Sequence, residues 1–484
     1  YGLIDFGMIA IKETKMELIE ELYNENMWVT DLHKELLEKH VNEDGWDERK
    51  ILEVLAVSSE GAKKNFLKVF ERMGNKKTYY EIKKNIFKVG VASVVEITCK
   101  YNFQKLVGNY KVYISPVYNY DFHTSIKFEP FTLNLEANEN MISIPYCFKH
   151  EDLYNINIFY IMDGKEYLLL STSVYALDED LYGKQLYKAD FHMHTTYSDG
   201  YEPPELVVSS ARRAGMDIVA VTDHNNFQGS VVARTKAREM GLDLTVISGE
   251  EYSLEYSPMH ILSLGTKKPI ERKYLTKQVC DMEDTKKIIS ECANLSCDKE
   301  AYACTQVLLD EVRRIGGISI LAHPYWKPIA MNGTRMDTPE NLYIELGKDK
   351  RFSGIELVSG SQEGEYNVSN LQALLARDIL GDFDGVPIIG ITDSHYYTSD
   401  PICGKHYTIV IADDKEEKNV LNALNEGNCV AVEIAGNIPL CYGKHRLVKF
   451  AQFLVKYYFP KRDKAAAQEA ELIAENFLYT EVNK

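Results

Sequence analysis

No apolar run in this 484-residue chain approaches the roughly 20 residues that a membrane-spanning helix needs. The opening segment from Leu3 to Ile11 carries Asp5 and has no basic flank, which argues against a secretory signal there. The chain starts at Tyr1, so a processed leader would lie outside the sequence. Basic residues are in deficit, with 55 Lys and Arg against 72 Asp and Glu and a net charge of −17. Such acidity works against gripping a long polyanion, so a small substrate is expected in place of extended nucleic acid, and no membrane partner is expected. Cys-x-x-Cys spacing is absent, and the nine cysteines are scattered and odd in number. This argues for reduced thiols in a cytoplasm and against a disulfide framework. Cys280, Cys292, Cys297 and Cys304 cluster; free thiols are the expected reading there and a thiolate metal site the alternative. With 45% hydrophobic and 26% charged residues, the chain has the composition of a folded globular protein with room for two or three domains.

What is present is a set of seven segments between residues 189 and 395, each placing histidine or carboxylate at the end of a short apolar run. They are Asp190-Phe-His192-Met-His194, Thr222-Asp223-His224, Gly249-Glu250-Glu251, His260-Ile-Leu, His323-Pro324, Ile355-Glu356 and Thr392-Asp393-Ser-His395. Half of the twelve histidines fall here, and imidazole with carboxylate is the donor set that holds several divalent ions. Side chains alternate on a strand, so His192 pairs with His194 on one face, and Asp393 with His395, each pair placed to grip one ion. The runs Asp217 to Val221, Leu244 to Ile247, Ile261 to Leu264, Ile318 to Leu321, Ile355 to Val358 and Val386 to Ile391 read as buried strands separated by helical stretches. That is the pattern of a parallel α/β sheet or barrel with its site at the C-terminal strand ends.

The stretch His192-Met-His194-Thr-Thr-Tyr-Ser198-Asp199-Gly200, with Thr222-Asp223-His224-Asn225, Gly249-Glu-Glu251, His323-Pro324 and Asp393-Ser-His395, resembles the PHP (polymerase and histidinol phosphatase) domain over about residues 188 to 436. Ser-Asp-Gly, Gly-Glu-Glu and a preceding β-rich region resemble the carbaryl-hydrolase-like subgroup most. The resemblance implies a distorted (β/α)7 TIM-like barrel and a cleft for two to three divalent transition ions, Zn, Mn or Fe. It implies a first ion on His192, His194, Glu251 and Asp393, a second bridged by Glu251 and held by His260 and His323, and a third on Asp199, His224 and His395. Glu251, and not Glu250, is the expected bridge, because the family places it two residues after the glycine and alternation lets only one of the two face the cleft. Asp223 and Asp190 are then expected behind the ligands as orienting groups, and Glu356 as a substrate contact or an outer carboxylate.

Around this barrel, expected over residues 186–440 with an insertion at about 266–300, three further parts are expected. Residues 1–76 read as helical, with Leu18, Leu22, Trp28, Leu32 and Leu36 near helical spacing. Residues 77–185 read as a β-sandwich, with a hairpin turning at Asp163-Gly164. Residues 441–484 read as a helical hairpin, its first helix ending at Pro460 and its Phe450, Phe453, Leu454 and Tyr457 stripe serving packing, with membrane binding the lesser alternative.

The implied chemistry is hydrolysis by ion-activated water, with Glu251, Asp393 and His224 as the catalytic set. Trp326, Lys327 and Arg335, on the loop after His323, are the candidates for stacking on a ring and pairing with a phosphate. The expected activity is a phosphoesterase acting on a small phosphorylated compound. A carbamate or carboxylic ester hydrolase is the alternative, and a carbohydrate- or protein-binding module with an idle metal domain comes third. Fold alone does not choose among them.

Overall fold

The computed structural model describes residues 16, 19–20, 31–43, 64, 79–100, 106–118, 131–135, 141–292, 294–325, 339–349, 351–359, 372–377 and 387–482. The chain divides into two compact units, Tyr1–Tyr182 and Gly183–Lys484. It is a mixed α/β protein with β-rich regions, a barrel-like sheet and C-terminal helices. No helix among the described residues is long and apolar enough to cross a membrane.

In the first unit, β1 (Tyr80–Ile82), β3 (Ala92–Cys99) and β6 (Met141–Cys147) form one antiparallel sheet in the order β1-β3-β6. A second sheet runs β2 (Ile86–Lys88), β8 (Lys165–Leu177), β7 (Asp152–Met162), β4 (Gly108–Pro116), β5 (Phe131–Leu135). Alternation decides what each strand buries: along β7, Tyr154, Ile156, Ile158 and Tyr160 turn inward and share one core with Val95, Ile97, Ile142 and Ile144 of the other sheet. The β7–β8 hairpin turns at Asp163 and Gly164, both at positive φ (52° and 75°), as a tight two-residue turn requires. Within the expected N-terminal helical part, Asp31–Glu43 is a helix in which Leu37 and Val41 pack with Ile19. Leu36 of the expected stripe is exposed, one position out of phase with the buried pair. Leu18, Leu22, Trp28 and the side chain of Leu32 lie outside the described residues.

The second unit is built on a ten-stranded sheet. Its strands are β9 (Gln185–Asp190), β10 (Ile218–Val221), β11 (Thr245–Ser253), β12 (His260–Leu264), β13 (Ile318–Leu321), β14 (Gly354–Val358), β15 (Ile388–Gly390), β16 (His406–Ala412), β17 (Cys429–Ala435) and β18 (Ile438–Gly443). The order is β15-β14-β13-β12-β11-β10-β9-β16-β17-β18. The sheet is not uniformly parallel: β12 is antiparallel to both neighbours, and β16, β17 and β18 run antiparallel beside β9. The cause is local, since the few residues between Ser253 and His260 allow only a hairpin and not a parallel crossover. The end strand β15 closes onto β16 where the Thr408 hydroxyl accepts from the Gly390 N–H (3.0 Å) and donates to its carbonyl (2.8 Å). Gly390 permits this approach, because a Cβ there would lie 2.6 Å from the Tyr407 carbonyl oxygen. Phe191, Ile218, Ala220, Ile247, Leu262, Ile320, Ile389 and Val410 fill the interior.

The insertion after β12 holds two short 3₁₀ turns and the helix Glu283–Glu291. Among the described residues the converging ligand groups contain no cysteine; the Cys280 and Cys304 thiols sit 3.0 Å apart, and burial raises both their pKa values. At the C-terminus the expected hairpin is replaced by a run-on helix. His445–Phe453 continues through a π-turn, Leu454–Tyr458, into Phe459–Val482. Pro460 does not stop it, because the widened turn before the proline accommodates both the missing N–H and the ring's conflict with the carbonyl four residues back. The helix packs onto the barrel: buried Lys188 meets Asp463 (3.1 Å), Arg462 reaches the Leu186 carbonyl, and Arg212 reaches Glu469 (2.8 Å). Phe450, Phe453 and Leu454 are buried, as packing residues.

Candidate metal centre

Six histidines and three carboxylates converge at one rim of the barrel-like sheet. His192 and His194 follow β9, His224 follows β10, Glu251 lies near the end of β11, His323 follows β13, and Asp393 and His395 follow β15. His260 is the exception to the expected run-end pattern, since it opens β12. That strand is antiparallel, so its first residue pairs with Ser253 at the same rim.

One group is compact. His192 Nε2 lies 3.1 Å from His194 Nε2, 3.1 Å from Glu251 Oε2 and 3.3 Å from Asp393 Oδ1. His194 Nε2 lies 3.2 Å from Glu251 Oε2 and 3.1 Å from Asp393 Oδ1. Ligands about 2.0–2.1 Å from a tetrahedral ion stand roughly 3.3–3.4 Å apart, so these separations fit a divalent cation at their centre. Glu251 Oε2 is buried and has no hydrogen-bond partner, although three imidazole nitrogens lie within 3.2 Å of it. A buried carboxylate oxygen left in that condition is costly without a cation. The residues therefore fit the ions that the sequence implied.

The other carboxylate oxygen of Glu251 faces a second set, 2.8 Å from His260 Nδ1 and 2.9 Å from His323 Nε2. His224 groups with Glu251 and His260 but faces the first oxygen, its Nδ1 3.2 Å from Glu251 Oε2, and its Nε2 lies 3.6 Å from Asp199 Oδ2. The third group is His194, Asp199 and His395, with His395 Nε2 3.4 Å from Asp199 Oδ2 and His194 Nδ1 3.5 Å from Asp199 Oδ1. His224 thus stands between the second and third positions. Asp393 and His395 fall in different groups, and not in one as simple alternation suggested. Asp393 lies beyond the end of β15 at φ 53°, so the extended geometry that would align the pair has ended. His323, at φ 21°, and Asp393 are ligand-bearing positions held in backbone conformations that L-residues rarely adopt.

Electrostatics follow from burial and charge. Burial opposes protonation of His194, but its contacts with Asp393 and Glu251 outweigh it and push the pKa up to about 9. His192 is likewise raised against burial, by Glu251, Asp393 and Glu356. Burial lowers His224 to about 4, so it is neutral at pH 7. Glu251, Asp393 and Asp199 are all held below the usual carboxylate range, since the surrounding histidines overcome the burial that would raise them.

The supporting residues behave differently from the sequence reading in several places. Glu356 is fully buried; one oxygen accepts from His192 Nδ1 (2.8 Å) and the other from the His323 backbone N–H (2.7 Å). These contacts place it behind His192 and His323, on the side of the outer-carboxylate alternative, where it can fix the orientation of the His192 ring. Asp223 sits behind the turn that follows His194. It accepts from the Thr195 N–H and hydroxyl and from Ser198, all at 2.7 Å, and so holds the turn that carries Asp199. Asp190 accepts from the Thr392 hydroxyl (2.6 Å) and from the Thr392 and His192 backbones, and burial raises it to about 7. It positions main chain on both sides of the centre. Glu250 faces away from the cleft and accepts from the Ile270 N–H. Trp326, Lys327 and Arg335 lie outside the described residues. Ser253, which the sequence reading missed, contacts His224 Nδ1 at 2.9 Å; its place two residues after Glu251, on the same strand face, was the available signal. A cavity of about 590 Å³, lined in part by Asn225, Phe227, Ser253 and Arg272, lies beside it.

Residues 190–318 match the family model of the PHP domain, a span that holds His192, His194, Asp199, His224, Glu251 and His260. This region is a PHP domain. The remaining site residues, His323, Glu356, Asp393 and His395, lie beyond that span and are joined to it by the geometry above. A stretch of 70 residues is 33% identical to an uncharacterized protein of Methanocaldococcus jannaschii, covering 12% of this chain and 41% of that protein. Another of 106 residues is 33% identical to the 5′-3′ exoribonuclease Rnm of Salmonella typhimurium, covering 21% of this chain and 36% of that enzyme. The chain therefore spans well under half the length of these relatives. Among solved structures, a two-domain Bacteroides vulgatus protein containing a PHP-like metal-dependent phosphoesterase aligns at a TM-score of 0.36 and 20% identity, over 52% of this chain and 66% of that one.

Proposed function

We propose that this protein is a metal-dependent phosphoesterase that hydrolyses a small phosphorylated compound, a phosphomonoester or nucleotide. The barrel-like sheet is read with it as a distorted (β/α)7 barrel in which β12 interrupts the repeat. The observation that carries the proposal is Glu251, whose two oxygens face separate histidine sets, as a carboxylate shared by two neighbouring ions does. Nitrogen and oxygen donors without thiolate suit Zn, Mn or Fe. Bound ions of this kind bring the pKa of water down to about 7 and neutralise charge on phosphoryl oxygens. The chain's own residues do the rest. Glu251 and Asp393 keep the first two sites in register, His224, kept neutral by burial, presents its imidazole between the second and third positions, and Asp199 with His395 faces solvent where the substrate's free oxygens arrive. The exoribonuclease relatives favour phosphoester chemistry, whereas the net charge of −17 favours a small substrate over a long polyanion.

The test compares metal-loaded protein on p-nitrophenyl phosphate, bis-p-nitrophenyl phosphate and p-nitrophenyl acetate, with His395→Ala beside it and metal content measured throughout. A phosphoryl group has several charged oxygens to neutralise and a neutral ester carbonyl has one, so His395→Ala is expected to slow phosphoester cleavage on the order of a hundredfold more than acetate cleavage. Equal losses with the Glu251-bridged sites still loaded would sink the phosphoesterase reading in favour of the carbamate or carboxylic ester alternative.

A further inference from the structure

The three ligand groups differ in their access to solvent. His192, His194 and Glu251 are sealed, the side chains of His260 and His224 are 16% and 25% exposed, and those of Asp199 and His395 are 54% and 30% exposed. Asp199 makes the third group the most open of the three, which favours approach of a substrate on the side of Asp199 and His395. Two turns build that side, and each carries an aromatic ring next to a ligand: Tyr201 two residues after Asp199, and Tyr396 directly after His395. The rings stand 6.4 Å apart at 58°. Tyr201 is 78% exposed, the most exposed large apolar side chain among the described residues.

The backbone that carries this ring is firmly tied. The Tyr201 N–H donates to the His395 carbonyl (2.8 Å), the Thr196 N–H to the Glu202 carbonyl (3.0 Å), and the Gly200 N–H to the Thr195 carbonyl (3.0 Å). The Glu202 carboxylate accepts from the Thr398 N–H (3.2 Å) and hydroxyl, locking the two turns together. At Gly200 a Cβ would lie 2.5 Å from the His194 carbonyl carbon, so the turn closes directly on a ligand-bearing residue. A rigid turn that holds an aromatic ring out in water beside the open edge of a metal centre is preorganised for a flat partner, with little ordering left to oppose binding. Among the described residues the ion-pair partners of Asp199, Glu251 and Asp393 are all histidines.

We propose that Tyr201, flanked by Tyr396, is a stacking platform for the leaving group, and that the substrate class is a phosphoester of a nucleoside or other ring-bearing alcohol in preference to a sugar or glycerol phosphate. The inference rests on the phosphoesterase reading of the same site. The experiment uses the metal-loaded full chain and its Tyr201→Ala and Tyr201→Phe variants, with metal content measured in each. Adenosine 5′-monophosphate and phenyl phosphate are compared with ribose 5-phosphate and glycerol 3-phosphate. The kcat/KM ratio of ring-bearing to aliphatic esters is expected to fall about tenfold in Tyr201→Ala and to persist in Tyr201→Phe, the scale of one ring stacked on one aromatic side chain. An unchanged ratio in Tyr201→Ala with metals retained overturns the platform. In parallel, equilibrium dialysis follows the phosphonate analogue of adenosine 5′-monophosphate, whose P–C bond does not hydrolyse. If no phosphoester is cleaved, the phosphoesterase reading falls. Dialysis still decides the platform, because weaker binding in Tyr201→Ala alone upholds it and equal binding in all three proteins overturns it.

Discussion

At the scale of single residues, Glu250 and Glu251 are adjacent carboxylates with opposite surroundings. Strand alternation turns Glu251 into the cleft between two histidine sets and Glu250 toward the Ile270 backbone. Glu251→Ala is expected to lose at least one ion per chain and on the order of a hundredfold or more in activity, whereas Glu250→Ala keeps its metal content. Elemental analysis of both purified variants checks this, and the reverse ranking would show that the wrong carboxylate was chosen as the bridge. Glu356 makes a second case. Because its oxygen lies 2.8 Å from His192 Nδ1, Glu356→Ala is expected to weaken ion affinity by about ten- to a hundredfold, read by competition with a chelator. A raised KM with unaltered ion affinity would instead return Glu356 to the role of substrate contact.

At the scale of elements, β16 carries a buried histidine that takes no part in the centre. His406 is buried, its Nδ1 has no hydrogen-bond partner, and burial, assisted by the charge of Lys405, lowers its pKa to about 4. The unfolded chain binds that proton near pH 6.5, so it takes up the proton before the folded chain does. The stability that comes from keeping His406 neutral is complete above about pH 6.5, is lost as pH falls toward 4, and changes no further below that. The loss is about 3 kcal/mol for a shift of this size. Denaturant melts at pH 7 and pH 4 are expected to show a smaller acid loss for His406→Gln than for the parent chain, by about that amount. Equal acid losses in the two proteins would mean that His406 is protonated without penalty in the fold. The C-terminal helix shows a different limit on local reading. Pro460 looks like a helix stop, but the π-turn before it lets the helix continue far enough to reach Lys188 and Arg212.

At the scale of the whole molecule, ion binding and proton binding compete. Two to three transition ions per chain are expected on elemental analysis, all lost together with activity on chelation. Without ions the carboxylates hold protons on His194 up to about pH 9, against the effect of burial, so loading at pH 7.5 must expel protons. The apparent ion affinity is then expected to rise with pH through about 9 and level off above it. Calorimetry in two buffers of different ionisation enthalpy reads the expelled protons directly, and identical heats in both would contradict a protonated ion-free centre. The sequence alone determined which residues were candidates. Imidazole and carboxylate at the ends of short apolar runs, in an order and spacing that resemble the PHP domain, made His192, His194, Glu251, His260, His323 and Asp393 legible along the chain, and strand alternation chose Glu251 over Glu250. The Asp163-Gly164 hairpin was legible for the same reason, since its turn chemistry is local. The tertiary structure decided how those residues are shared. Only the folding of β12 back against β11 brings His260 to the rim, and only the end of β15 separates Asp393 from His395. Only the curvature of the sheet puts Glu356 behind His192, across 164 residues of sequence, because that distance is closed by strand packing and not by any periodicity along the chain.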